Sequence, residues 1–193
     1  WDADQQWTRW GEGKVIATST PNELRLYSSW ISTGQGSAGT PAGSVRYMTS
    51  YDNGATWSND QAVEELKCAR SSFGIERDLS ASGLVYYMVW VFNDANDHPK
   101  LMFPRSRLGL VTSTDGKNWT YLMDVERWVS PDDPDGNPIA QILDPGVIAT
   151  PTHVFVTFGL SDQDTPDTHN RYRLRVVRID KSKLSPRAWP TEY

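Results

Sequence analysis

The chain has 193 residues, 38% hydrophobic and 22% charged, with nine Trp and eight Tyr, a composition that folds and buries a sizeable core. Its net charge of −5 argues against nucleic acid as a partner, and no apolar run reaches the length of a membrane span. Cys68 is the single cysteine, which excludes an intramolecular disulfide and a cysteine-rich metal site but leaves the compartment open.

The chain opens at Trp1 without a methionine or a recognisable signal peptide, so a signal or upstream region is expected to have been removed. Residues 1–13 contain "DADQQWT" and "WTRWGEG" and read as the end of one unit, closing on a single outer strand. Four strands then follow in 14–70: "KVIATSTP", "LRLYSSW", "SVRYMTSYD" and "DQAVEELKCAR". The last has some helical character, yet its place in the repeat makes it a strand. Residues 71–129 repeat the order with "FGIERDL", "LVYYMVWV" and "RLGLVTSTD", and 130–193 repeat it with "GVIATPT", "HVFVTFGL" and "YRLRVVRID", the outer strand of this last unit being poorly defined. The third strand of each unit ends in an aspartate, and 63 residues separate Asp52 from Asp115 and 65 separate Asp115 from Asp180. Units of four short antiparallel strands that cannot bury both faces alone stack on copies of themselves. The fold class is therefore all-β, a single domain of about three β-propeller blades. Propellers close with about four to eight blades. The chain is thus expected to form half of a six-bladed ring, completed by the remainder of the propeller or by other copies of the chain.

The turn after each aspartate repeats as well: "SYDNGATWS" (50–58), "STDGKNWT" (113–120) and a degenerate "IDKSKL" (179–184). Ser50, Asp52, Gly54, Thr56 and Trp57 resemble the Asp box of the bacterial neuraminidase repeat, the motif of sialidases and related β-propellers; Ser113, Asp115, Gly116 and Trp119 resemble a shortened copy. Asp2 and Trp7 keep the same spacing as Asp52 and Trp57 and read as an eroded one. The resemblance implies that the box lies between the third and fourth strands and is structural, its aspartate capping turn N–H groups and its glycine allowing positive φ. Chemistry is then expected at the opposite end of the blades, on the loops between second and third strands and on the blade-to-blade connections.

Candidate residues follow from that division. "FGIERDL" puts Glu76, Arg77 and Asp78 on an inner strand whose counterparts are neutral, which fits an acid/base carboxylate with an arginine clamp, or a charge pair between blades. Asp144, in "ILDPG", precedes another inner strand, where it serves either as a carboxylate of the site or as part of an Asp-Pro-Gly turn. Arg70 and Glu12 occupy corresponding connections, and Trp10 is placed to stack on a sugar ring. His98, Lys100, Arg105 and Arg107, joined by His169 and Arg171, form a basic loop cluster suited to an anionic ligand. No cofactor is called for; "DDPDGN" (132–137) has the look of a calcium loop but lacks the later bidentate glutamate, and a plain turn accounts for it.

The sialidase resemblance implies three arginines on a substrate carboxylate, a Tyr–Glu nucleophilic pair and an aspartate acid/base. Glu76, Arg77, Arg70 and a tyrosine such as Tyr172 supply the types without a spacing that assigns the roles. The function so read is a secreted or periplasmic sialidase-like glycoside hydrolase acting on an acidic or decorated glycan. A non-catalytic glycan- or protein-binding propeller, and a polysaccharide lyase, are the alternatives.

Overall fold

The computed structural model describes residues 8–32, 43–92, 107–127, 140–162 and 172–190. Among these residues ten strands carry the regular structure: β1 Thr8–Ala17, β2 Leu24–Ser32, β3 Gly43–Ser50, β4 Gln61–Arg77, β5 Tyr86–Phe92, β6 Arg107–Ser113, β7 Thr120–Arg127, β8 Ala140–Ala149, β9 His153–Asp162 and β10 Tyr172–Asp180. All pairings are antiparallel and join strands adjacent in sequence. The molecule is all-β and built of propeller blades: β1–β3 with the first part of β4, the second part of β4 with β5–β7, and β8–β10. The inner strands β1, β4 and β8 lie side by side.

Alternation along the strands produces two cores between blades. In β9, Val154, Val156, Phe158 and Leu160 are buried while the residues between them are half-open, the pattern of a sheet with one face covered. They meet Tyr87, Val89, Val91, Leu108 and Leu110 of the second blade. The other face of that blade, with Tyr86, Met88, Trp90, Val111 and Tyr121, packs on Tyr27, Val45, Tyr47, Val63 and Leu66 of the first. Val63 and Leu66 explain why the helix-like "DQAVEELKCAR" is extended: Val63 pairs with Val45, the register shift that follows lets Leu66 reach the same core, and burial outweighs helix propensity.

The structure differs from the sequence reading at three boundaries. Residues 8–13 are not a separate outer strand; they begin β1, which pairs with β2 from Thr8↔Ser32 onward. The division between residues 70 and 71 falls inside β4, one strand of 17 residues that serves two blades. The segment after the 3-10 turn Lys181–Lys183 leaves the third blade: Arg187 N–H donates to the Tyr121 carbonyl at 2.9 Å, and Trp189 lies 6.0 Å from Trp90 and 5.8 Å from Tyr121 between ring centroids. Among the described residues the third blade therefore has three strands.

Two kinds of turn share one end of the blades. Asn53 N–H donates to the Asn22 carbonyl, and Lys181 N–H to the Thr152 carbonyl, so each third-to-fourth-strand turn is tied to the first-to-second-strand turn beside it. The connections into the inner strands lie at the other end.

Candidate active site

Each inner strand carries an irregularity at the same height. Pairing of β1 with β2 skips between Trp10↔Trp30 and Gly13↔Ser28, so Gly11 and Glu12 oppose Ser29 alone. In β4 the skip lies between Cys68↔Phe92 and Phe73↔Trp90, setting residues 69–72 against Val91. In β8 it lies between Leu143↔Gly159 and Gly146↔Thr157, setting Asp144 and Pro145 against Phe158. Bulges leave residues outside the ladder and re-aim them, and they are enriched beside active sites. Here three bulges in register bring the backbones of Glu12, Arg70 and Asp144, one from each blade, to the connection end of the inner strands.

Asp144 is the most distinctive of the three. It is exposed and has φ +46°, left-handed backbone that a non-glycine residue adopts at a cost, with a proline directly after it. Such strain persists only where surrounding structure holds it, and it concentrates at functional positions. The packing that holds it is visible: a β-carbon at Gly74 would lie 2.8 Å from both the Gly146 Cα and the Pro145 carbonyl oxygen. Glycine at 74 lets the inner strands of the second and third blades approach at this bulge.

The charged run on β4 is placed differently. Glu76 pairs with Tyr87, is half-buried and faces the third blade. Arg77 Nη1 donates to the Thr18 carbonyl at 3.2 Å, reaching into the first blade at the end where the aspartate turns lie. Asp78 is buried, accepts from Ser80 N–H at 3.0 Å and pairs with Lys181 of the third blade. Burial alone would raise its carboxyl, but the Lys181 and Ser80 hydrogen bonds outweigh this and hold it below the usual range. Arg77 and Asp78 thus join neighbouring blades at the end opposite the bulges. Arg107 is buried and forked onto Asp124, with Nε at 2.8 Å and Nη2 at 3.0 Å from its two oxygens. The structure does not bring these residues to Asp144. Trp10 and Arg70 sit on β1 and β4 at the bulged end, while His98 and Arg105 fall outside the described residues, as do Lys100, His169, Arg171 and the 132–137 loop. Among the described residues no cluster of His, Cys, Asp and Glu could hold a metal ion, and no helix is long and apolar enough to cross a membrane.

The aspartate turns show what their residues do. Asp52 accepts from Thr56 N–H at 2.8 Å and the Thr56 hydroxyl at 2.6 Å, and the Ser50 hydroxyl donates to it at 2.7 Å while accepting from Gly54 N–H. Asp115 accepts from the N–H groups of Lys117 at 2.7 Å and Asn118 at 2.8 Å. The second turn also clasps the first blade, because Arg25 donates to the Asp115 carbonyl and the Tyr27 hydroxyl to the Gly116 carbonyl. Asp180 caps the degenerate third turn by accepting from Ser182.

No family model and no curated protein matches the chain. Solved structures are similar to it, among them two glycoside hydrolases. One is Zg3597, a family 117 glycoside hydrolase of the marine bacterium Zobellia galactanivorans, at 15% identity and a TM-score of 0.44 over 88% of this chain and 55% of that one. The other is a glycosyl hydrolase from Bacteroides ovatus, at 14% identity and a TM-score of 0.40 over 93% of this chain and 52% of that one. The chain spans about half the length of each.

The partners Lys181, Asp124, Arg25 and Tyr27 have no motif in the sequence; each is fixed by packing between blades or across a strand pair. The bulge at Asp144 has a signal: proline inside a strand pattern is confined to edges, strand starts and bulges. "ILDPGVIA" carries it in the middle of an inner strand.

Proposed function

We propose that this chain belongs to a sialidase-like glycoside hydrolase, secreted or periplasmic, that acts on an acidic or decorated glycan at the end of the blades opposite the aspartate turns. The observation that carries this reading is the set of three in-register bulges bearing Glu12, Arg70 and Asp144. Glycosidic bonds are cleaved by a pair of acidic groups, one delivering a proton to the leaving oxygen and the other acting as base or nucleophile. Asp144 and Glu12 are the carboxylate-bearing residues of two of these bulges, and Arg70, on the bulge of the inner strand between them, is of the type that holds an anionic sugar substituent. Strain at Asp144 fixes its approach before substrate arrives.

A panel of fluorogenic glycosides, including sialosides and uronides, tests the reading. Turnover is expected on at least one acidic sugar, with Asp144→Asn lowering kcat by about 10²-fold or more, as loss of a general acid or base does. Absence of turnover across the panel, with glycan binding retained, would instead establish a non-catalytic binding propeller. That alternative is favoured by one observation: Asp78 and Arg107, both of types the chemistry needs, are committed to partners within the fold. A product absorbing in the ultraviolet through a new double bond would indicate a lyase.

A further inference from the structure

Among the described residues Asn or Asp precedes glycine at Asn53–Gly54 and Asp115–Gly116, and both pairs lie in aspartate turns. Such a pair is chemically weak. The glycine nitrogen loses its proton and attacks Cγ of the preceding side chain, closing a five-membered succinimide. Asn53 would expel its Nδ2 as ammonia, and Asp115 a carboxyl oxygen as water. Water then opens the ring at either carbonyl, leaving aspartate or, with the backbone rerouted through the side chain, isoaspartate. Glycine offers no side chain to hinder the attack, and Asn53 is exposed to water. Damage here would reach beyond one residue. Asn53 Nδ2 donates to Asn22 Oδ1 at 3.1 Å, so deamidation removes the donor of a tie between neighbouring turns and sets a new carboxylate beside Asp52. Rerouting at Asp115 would move the Asp115 and Gly116 carbonyls that accept from Arg25 and Tyr27 of the first blade.

Both turns place a hydroxyl on the atom that would have to react. Gly54 N–H donates to Ser50 Oγ at 2.7 Å, and Gly116 N–H donates to Ser113 Oγ at 2.8 Å. Attack needs that proton removed and the nitrogen turned toward Cγ, and the hydrogen bond opposes both. The third turn supplies the contrast. There Asp180 is followed by Lys181, and the position two residues before the aspartate is Arg178 instead of serine. Asp180 still accepts from Ser182 N–H at 2.9 Å. Capping by the aspartate therefore works without the serine, and the serine stands where a reactive glycine pair stands. We infer that the serine of each complete aspartate turn is a chemical guard, holding back succinimide formation at Asn53 and Asp115. This role is separate from the chemistry proposed for the other end of the blades, and a chain that hydrolyses nothing would still need it.

Mass spectrometry of the peptide carrying Asn53, after incubation of the folded chain at neutral pH, reads deamidation and isoaspartate directly. Ser50→Ala is expected to accelerate the reaction about tenfold, the factor that corresponds to losing a hydrogen bond near the upper end of its net worth. Thr56→Ala is the control. It removes a different bond to the same turn, from the Thr56 hydroxyl to Asp52 at 2.6 Å, and leaves the Gly54 N–H untouched. Its expected acceleration is below about threefold, the lower end of the same range. Near-ultraviolet circular dichroism verifies that both variants are folded. A Ser50→Ala rate equal to that of the wild type would overturn the inference. Equal acceleration by the two substitutions would also overturn it, since that pattern assigns the protection to the stiffness of the turn. Should Ser50→Ala not fold, deuterium exchange of the Gly54 amide in the unaltered chain decides, because exchange requires loss of the same proton. Slowing by about tenfold or more relative to an unstructured chain is expected, and exchange at the unstructured rate would overturn the guard.

Discussion

A β-carbon at Gly116 would lie 2.4 Å from Arg25 Nη1 and 2.6 Å from the Tyr27 hydroxyl, and the residue has φ +69°. Backbone conformation and lack of space therefore demand glycine independently. Gly116→Ala is expected to cost about 1–3 kcal/mol from the backbone alone, with a further loss as Arg25 and Tyr27 are displaced, measured by urea unfolding. The aspartates beside such glycines make stability depend on pH. Thr56, through its side chain and its N–H, and the Ser50 hydroxyl hold Asp52 at about 2. Burial would raise Asp115, but the N–H groups of Asn118 and Lys117 bring it to about 2 as well. A carboxyl depressed in the folded state contributes stability that is present above its unfolded value near 4 and is lost as pH falls through its folded value. The midpoint of thermal unfolding is expected to drop between pH 4 and pH 2, and Asp115→Asn should flatten that dependence while lowering stability at pH 7.

At the scale of the element, Arg107 shows how a side chain that reads as a ligand clamp can belong to the sheet. It opens β6, lies beside β7 and is forked onto Asp124, which also accepts from the Tyr121 hydroxyl at 2.8 Å. Asp124→Ala is expected to destabilise the protein by about 1.5–3 kcal/mol, the range for a hydrogen bond to a charged group, because it takes a forked partner from the buried Arg107 guanidinium. Chemical denaturation measures it, and a drop below about 0.5 kcal/mol would show that the pair is not structural. The strands themselves were legible from sequence, since period-two alternation and the Asp52, Asp115 and Asp180 spacing fix β2, β3, β6, β9 and β10. What alternation does not specify is the partner of a charge. "ERD" on an inner strand reads equally as chemistry or as ties between blades, and only the positions of Thr18 and Lys181 in three dimensions decide for Arg77 and Asp78. The bulges were half legible: Pro145 announces one, while those at Glu12 and Arg70 appear only once pairing is known.

For the whole molecule, the decisive element is β4, which runs without a break from the rim of one blade to the centre of the next. Its first part fills the core between the first two blades with Val63 and Leu66, and its second part adds Phe73 to the same core. No linker separates the repeats there, which is why dividing the sequence at residue 70 gave a boundary that the fold lacks. Produced separately, residues 1–70 and 71–193 are each expected to fail to fold, as judged by the loss of dispersed amide signals in NMR, whereas independent folding of either piece would show that the shared strand is dispensable. The same strand constrains ancestry and engineering alike. Repeats joined by loops can be copied, lost or spliced one at a time, like links with clasps between them. Here a recombination point placed between the first two blades would leave each product with half of a strand, so this pair of blades is expected to be transferable only as a unit.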